Sequence, residues 1–357
     1  MESRQGLGDG MERQEYIDVL RGISIIGVIA IHVISVLGGV EACGSHIVYL
    51  GITRYCVVMF FLCTGAILLR KDRKLNIRKL YTKNIPRFFA AIFLYGLLHK
   101  VVRFFLGQYG DMTFGRLLLS YPKKFITGEL EFSFWYMYAL IPIYFMLPVL
   151  KAIVMPDHDR KVVKIFLILW GMASLINGLS HLMPLSFLNT WTNGNWNFCT
   201  VYGYPGYVVL GAYLGERNYT KRQRWGIYVL GGLACIVAIL DQLVRVEKGY
   251  SLEYTLFDYY SPTTIVLAIA VFVGVRHLGM KRKAEKNYDK ILTFAGRYSM
   301  GMYFLHTVVL LILQERLLKY YTNVRPVRSL VYIALIFLLT LGIVWGLASN
   351  KYSRKWI

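Results

Sequence analysis

The chain has 357 residues, of which 56% are hydrophobic, with a net charge of +21 and a mean hydropathy of +0.46. Apolar runs of about 20 residues recur along most of its length, which excludes an ordinary water-soluble globule and indicates a membrane protein. The positive charge is no nucleic-acid footprint, because it is segregated into alternate connections between the apolar runs.

Residues 1–15 are polar and lack an apolar core, so a short cytoplasmic tail and an uncleaved first span that acts as signal anchor are expected. Ten spans are predicted, at 17–39, 47–69, 85–106, 134–155, 162–183, 199–215, 225–244, 258–278, 291–315 and 329–349. The sixth is short and rich in glycine. The connection after the second span carries eight Lys/Arg between Arg70 and Arg87, and later even-numbered connections carry Lys151, Arg160, Lys161 and Lys164, then Arg217 and Lys221. Odd-numbered connections are mostly poorer in cations, so the positive-inside rule puts both termini in the cytoplasm. The expected fold is an all-α polytopic bundle of about ten transmembrane helices. One membrane domain covers residues 1–357, and an outer loop at 107–133 holds an amphipathic stretch near 114–121. Tyr81, Trp135, Tyr136, Trp191, Trp196, Tyr202 and Trp356 are expected at the interfacial belts.

The first span, YIDVLRGISIIGVIAIHV, holds the sharpest polar feature. His32 lies eleven positions after Arg21, which at ~100° per residue is three turns plus about 20°, with the two side chains ~16 Å apart along one stripe. Asp18 falls near that stripe. Ionisable groups in hydrocarbon are expensive, so such a column is read as a functional site. A neutral imidazole can take a proton from a hydroxyl or attack an acyl carbonyl; the alternative for His32 is a hydrogen bond that packs helices. Arg21 suits phosphate or carboxylate recognition, or it pairs with Asp18 three residues earlier.

Further along, Arg54 is an intramembrane cation without an obvious local partner. Lys79, Lys83 and Arg87 recur at a spacing of four; that stripe could hold the phosphates of a nucleotide-like molecule, or could serve topology and lipid headgroups. Glu129 and Glu131 precede the fourth span and could receive sugar hydroxyls, or could belong to a solvated loop. Trp135 and Tyr136 at the start of that span are candidate substrate contacts as well as belt residues. Asp241 and Arg245 have the i,i+4 spacing of a structural ion pair. In the ninth span, Ser299, Tyr303 and His306 share a face and look inward, for substrate or for helix-to-helix hydrogen bonds. The five cysteines (Cys43, Cys56, Cys63, Cys199 and Cys235) show no CxxC or Cys/His cluster, so neither disulfides nor a metal site is expected. Cys56 and Cys63, seven apart, are read as packing.

Four segments, in order along the chain, resemble the membrane-bound acyltransferase-3 family. They are YIDVLRGISIIGVIAIHV, RYCVVMFFLCTGAILL, FWYMYALIPIYFMLPVL and GRYSMGMYFLHTVVLL. Within that family the segments most resemble the subgroup of surface-polysaccharide O-acetyltransferases, such as the enterobacterial common antigen enzyme. The chain departs from the pattern at Ser133, where relatives often carry histidine, at Val58 or Met59, where they carry proline, and at Thr64, where they carry serine. The resemblance implies transfer of an acyl group, commonly acetyl, from cytoplasmic acyl-CoA to a hydroxyl of a cell-surface polysaccharide or lipid-linked glycan in the cell membrane. It implies His32 as the catalytic residue and Arg21 as essential on the donor side. Acyl-CoA would be a co-substrate, and no tightly bound cofactor is expected. The competing readings are a transporter or flippase of a polar solute, although no internal repeat is visible, and a non-catalytic membrane sensor or partner subunit.

Overall fold

The helix that carries the polar column forms the axis of the molecule. In the computed structural model, described over residues 14–37, 45–155, 160–180, 185–188, 203–249, 256–284, 289–316 and 326–357, this helix is α1, Glu15–Val36. The second span is broken at Arg54 into α2, His46–Thr53, and α3, Tyr55–Leu68. Then follow α4 (Ile85–Phe105), α5 (Phe114–Ile126), α6 (Trp135–Val154), α7 (Lys161–Ser180), α8 (Tyr204–Glu216) and α9 (Lys221–Glu247). The chain continues with α10 (Pro262–Ala284), α11 (Lys290–Arg297), α12 (Ser299–Arg316) and α13 (Pro326–Ser349). The described residues contain no strand.

Among the described residues, eight helical segments are long and apolar enough to cross a membrane. A ninth crossing exists if α11 and α12, bent by 87° at Tyr298, count as one broken span. The ninth predicted span, 291–315, is therefore not a straight helix. Of the sixth, the described helix α8 has 13 residues, or ~20 Å, less than the ~30 Å hydrocarbon thickness. Trp191, Trp196, Tyr202, Cys43 and Cys199 lie outside the described residues.

α1 packs against α2, α3, α10, α11, α12 and α13. Its apolar window is 61% buried, against 17% for α9 and 22% for α13 at the periphery. A helix surrounded by protein can carry charged groups that a lipid-facing helix cannot. The α1–α11 contact is unusually close. A Cβ at Gly22 would stand 2.2 Å from the Leu292 carbonyl oxygen, and one at Gly296 would stand 1.7 Å from the Asp18 carbonyl oxygen. The two glycines let backbone lie on backbone, and so fix α11 across α1 beside Arg21.

Local signals set the remaining ends. Pro86, Pro205 and Pro262 open α4, α8 and α10, where the missing N–H costs nothing. Thr113 caps the amphipathic α5 by accepting from the Arg116 N–H, with Leu117 and Tyr121 buried. It covers the amphipathic stretch read near 114–121. Asp289 caps α11 by accepting from the N–H groups of Ile291 and Leu292. Arg245 pairs with Asp241 at 3.0 Å, as the spacing predicts. Cys56 and Cys63 are free thiols inside the core.

Candidate functional site

Two cavities enter the bundle around α1. The first, about 300 Å³, is lined by Arg21 of α1, Arg87 and Asn84 at the start of α4, and Arg297, Ser299 and Met300 at the α11–α12 bend. The second, about 310 Å³, is lined by His32 and Ser35 of α1, Arg54, Trp135 and Tyr259. Phe60, Tyr136 and Tyr303 line both. Arg21 and His32 thus stand in different cavities on either side of one aromatic wall, not in a single open tunnel. That wall is packed: the Tyr136 ring centre is 5.6 Å from that of Tyr303 and 5.8 Å from that of Phe60. The Tyr303 hydroxyl donates to the Ser133 carbonyl and is fixed by it.

The first cavity has three guanidinium groups, from three separate elements, and no acidic side chain among its described lining residues. The Arg21 Nε is buried and makes no hydrogen bond, and Arg21 forms no ion pair with Asp18 among the described residues. Asp18 is buried and lines neither cavity; its backbone carbonyl is the surface on which Gly296 rests. Of the basic stripe only Arg87 reaches the cavity. Lys79 and Lys83 are exposed and line neither cavity, because Leu80–Asn84 forms a π-helical turn. Its i→i+5 bonding breaks the four-residue register that would have aligned them. Arg297 took no part in the expected site, and it joins only because the chain turns by 87° immediately after it. Ile357 also lines this mouth; it is buried, packed against Gly301, and its carbonyl oxygen lies 3.4 Å from Arg87 Nη2.

In the second cavity His32 is half-buried, and behind it lies His306, with ring centres 5.2 Å apart. His306 is fully buried and lines neither cavity. Its Nδ1 sits 3.1 Å from the Met302 carbonyl oxygen. A carbonyl only accepts, so Nδ1 carries the hydrogen and Nε2 is a bare acceptor. That Nε2 is buried without a hydrogen-bond partner. His306 therefore stands behind His32 instead of touching a cavity occupant as expected, while Trp135, Tyr136, Ser299 and Tyr303 do line cavities.

Glu129 is exposed and lines neither cavity. The placed carboxylate is Glu131, which binds Arg103 Nη2 at 2.9 Å and lies 3.5 Å from Nδ1 of the buried His99. The other His99 nitrogen, Nε2, is 2.9 Å from the Thr307 hydroxyl, next to His306 in sequence. Burial raises the Glu131 carboxyl, but the hydrogen bond and charge of His99 and the charge of Arg103 outweigh it and hold the group down to about 2. His99 escaped sequence reasoning because a lone histidine near the end of an apolar span carries no pattern.

A family model described as an acyltransferase domain matches residues 14–349. No curated protein and no solved structure matches the chain significantly.

Proposed function

The chain belongs to the acyltransferase 3 family, and from that premise we propose that it moves an acetyl group from cytoplasmic acetyl-CoA to a hydroxyl of a surface polysaccharide or lipid-linked glycan. The multi-pass helices and the family make it a membrane acyltransferase. The donor, the acceptor, the placement in the cell membrane with both termini in the cytoplasm, and the kinship to polysaccharide O-acetyltransferases are our reading.

One observation carries it: a cavity ringed by Arg21, Arg87 and Arg297 and a cavity holding His32 abut at Phe60, Tyr136 and Tyr303. Guanidinium groups without acidic neighbours suit the phosphates of CoA. The basic connections that the positive-inside rule assigns to the cytoplasm lie at the Arg21 end of the molecule, as the lining residues Asn84 and Arg87 attest. The ~16 Å from Arg21 to His32 is a span for the extended pantetheine arm, which would thread the aromatic wall and bring the thioester to the acceptor side.

There His32 takes the proton of the acceptor hydroxyl as the new C–O bond to the acyl carbon forms. The C–S bond breaks, and CoA leaves as the thiolate, which is then protonated. His306 and Tyr303 hold His32 and the wall in place; Trp135 and Tyr136 contact the acceptor and the arm. Closing the wall around the arm keeps water from the thioester.

The test is incubation of purified protein in nanodiscs with radiolabelled acetyl-CoA and a surface-glycan extract. Label passes to glycan with wild type and is lost with His32→Ala at equal protein, and Arg21→Gln weakens CoA binding in a calorimetric titration. A fully active His32→Ala defeats the assignment. Solute flux in proteoliposomes without acyl donor would instead support a transporter.

A further inference from the structure

The second cavity holds a cation that acyl transfer does not require. Arg54 sits at the break between α2 and α3, half-buried. Its Nε donates to the Phe257 carbonyl at 2.7 Å. Its guanidinium carbon lies 4.5 Å from the centre of the Tyr259 ring, and Nη1 is 3.5 Å from the Tyr259 hydroxyl. These contacts fix the plane of the fork and leave Nη2 without a hydrogen bond among the described residues. Arg54 forms no ion pair there, and no described residue lining the cavity is acidic. A cation at membrane depth is costly unless an anion answers it, and a guanidinium held in plane is pre-organised for a two-oxygen acceptor.

The neighbouring wall is aromatic. The Trp135 and Tyr259 rings stack at 5.2 Å with 28° between their planes, and both line the cavity beside His32. The two rings face each other and the Arg54 guanidinium also lies over Tyr259, so the pair offers the cavity a rigid aromatic edge against which a sugar ring can pack.

We infer that the acceptor is an anionic saccharide: a carboxylate, or an equivalent anionic ring substituent, engages Arg54 while the ring packs against the edge of the Trp135–Tyr259 stack and a hydroxyl faces His32. The inference rests on reading the His32 cavity as the acceptor chamber, and it makes Arg54 a specificity-determining residue.

The probes are methyl β-D-glucuronide and methyl β-D-glucoside, which share a ring and differ in charge. Each is titrated calorimetrically into the full chain in nanodiscs, with no acyl donor present. The glucuronide should bind wild type at least about tenfold more tightly, the scale of one charge-assisted pair. Arg54→Gln should abolish that preference, and Arg54→Lys should keep part of it. Equal binding, tighter binding of the glucoside, no measurable binding of either sugar, or a preference that survives in Arg54→Gln overturns the inference. If Arg54→Gln does not fold, the wild-type comparison and Arg54→Lys still decide. Because no thioester is present, failure here is separable from failure of the acyl-transfer reading, which the labelled-glycan assay tests on its own.

Discussion

Glu131→Gln removes one negative charge and almost no volume. The carboxylate has 14% of its side chain exposed and is shared between Arg103 and His99. Its fall from an ordinary 4.5 to about 2 corresponds to roughly 3 kcal/mol of differential stabilisation of the ionised form. Arg103 is 30% exposed, so water screens part of its share, and the expected cost of the substitution is about 2 kcal/mol. The folded carboxyl is the stronger acid, so its contribution is complete above the unfolded value of about 4.5 and is lost as the pH falls to about 2. Unfolding by SDS titration in mixed micelles should show wild type about 2 kcal/mol more stable at neutral pH, with the gap closing near pH 2. Parallel measurements on Arg103→Gln and the double variant should give a coupling energy of about 1 kcal/mol or more. Equal stability of wild type and Glu131→Gln at neutral pH, or a gap unchanged at low pH, refutes the reasoning.

Gly296→Ala places a methyl group 1.7 Å from the Asp18 carbonyl oxygen, so α11 must lift off α1 at a cost of about 1–3 kcal/mol, read as a lower unfolding midpoint and weaker CoA binding at the displaced Arg297. Asp289→Ala removes the acceptor for the Ile291 and Leu292 N–H groups and should cost about 1 kcal/mol; faster hydrogen exchange confined to α11 checks it, and unchanged exchange there counts against it. Phe60→Ala opens the wall between the two cavities, so hydrolysis of acetyl-CoA should rise relative to transfer, and a constant partition ratio in a product assay would show that the wall does not exclude water. Tyr303→Phe strips the donor from the Ser133 carbonyl and should cost about 1 kcal/mol, seen in the same SDS titration.

What the sequence made legible is what depends on an uninterrupted period. Arg21 and His32 face protein because α1 is a continuous helix, and the hydropathy of its neighbours already marked them as spans. The period fails wherever the backbone departs from α-geometry. A single π turn at Leu80–Asn84 scatters Lys79, Lys83 and Arg87, and no residue in LYTKN announces it. The bend at Tyr298 was invisible for a different reason: it is stabilised by a tertiary contact, Gly296 on the Asp18 carbonyl, so local propensity carries no trace of it. The convergence of Arg87 and Arg297 on Arg21 follows from those two irregularities together. The choice between Glu129 and Glu131 likewise rests on which carboxylate meets Arg103, a partner 28 residues away.

Ile357 occupies the rim of the arginine-lined cavity, buried against Gly301. A polypeptide joined after it would start at that same opening. Affinity tags and fluorescent reporters attached there would compete for the passage or pry Ile357 from its seat against Gly301.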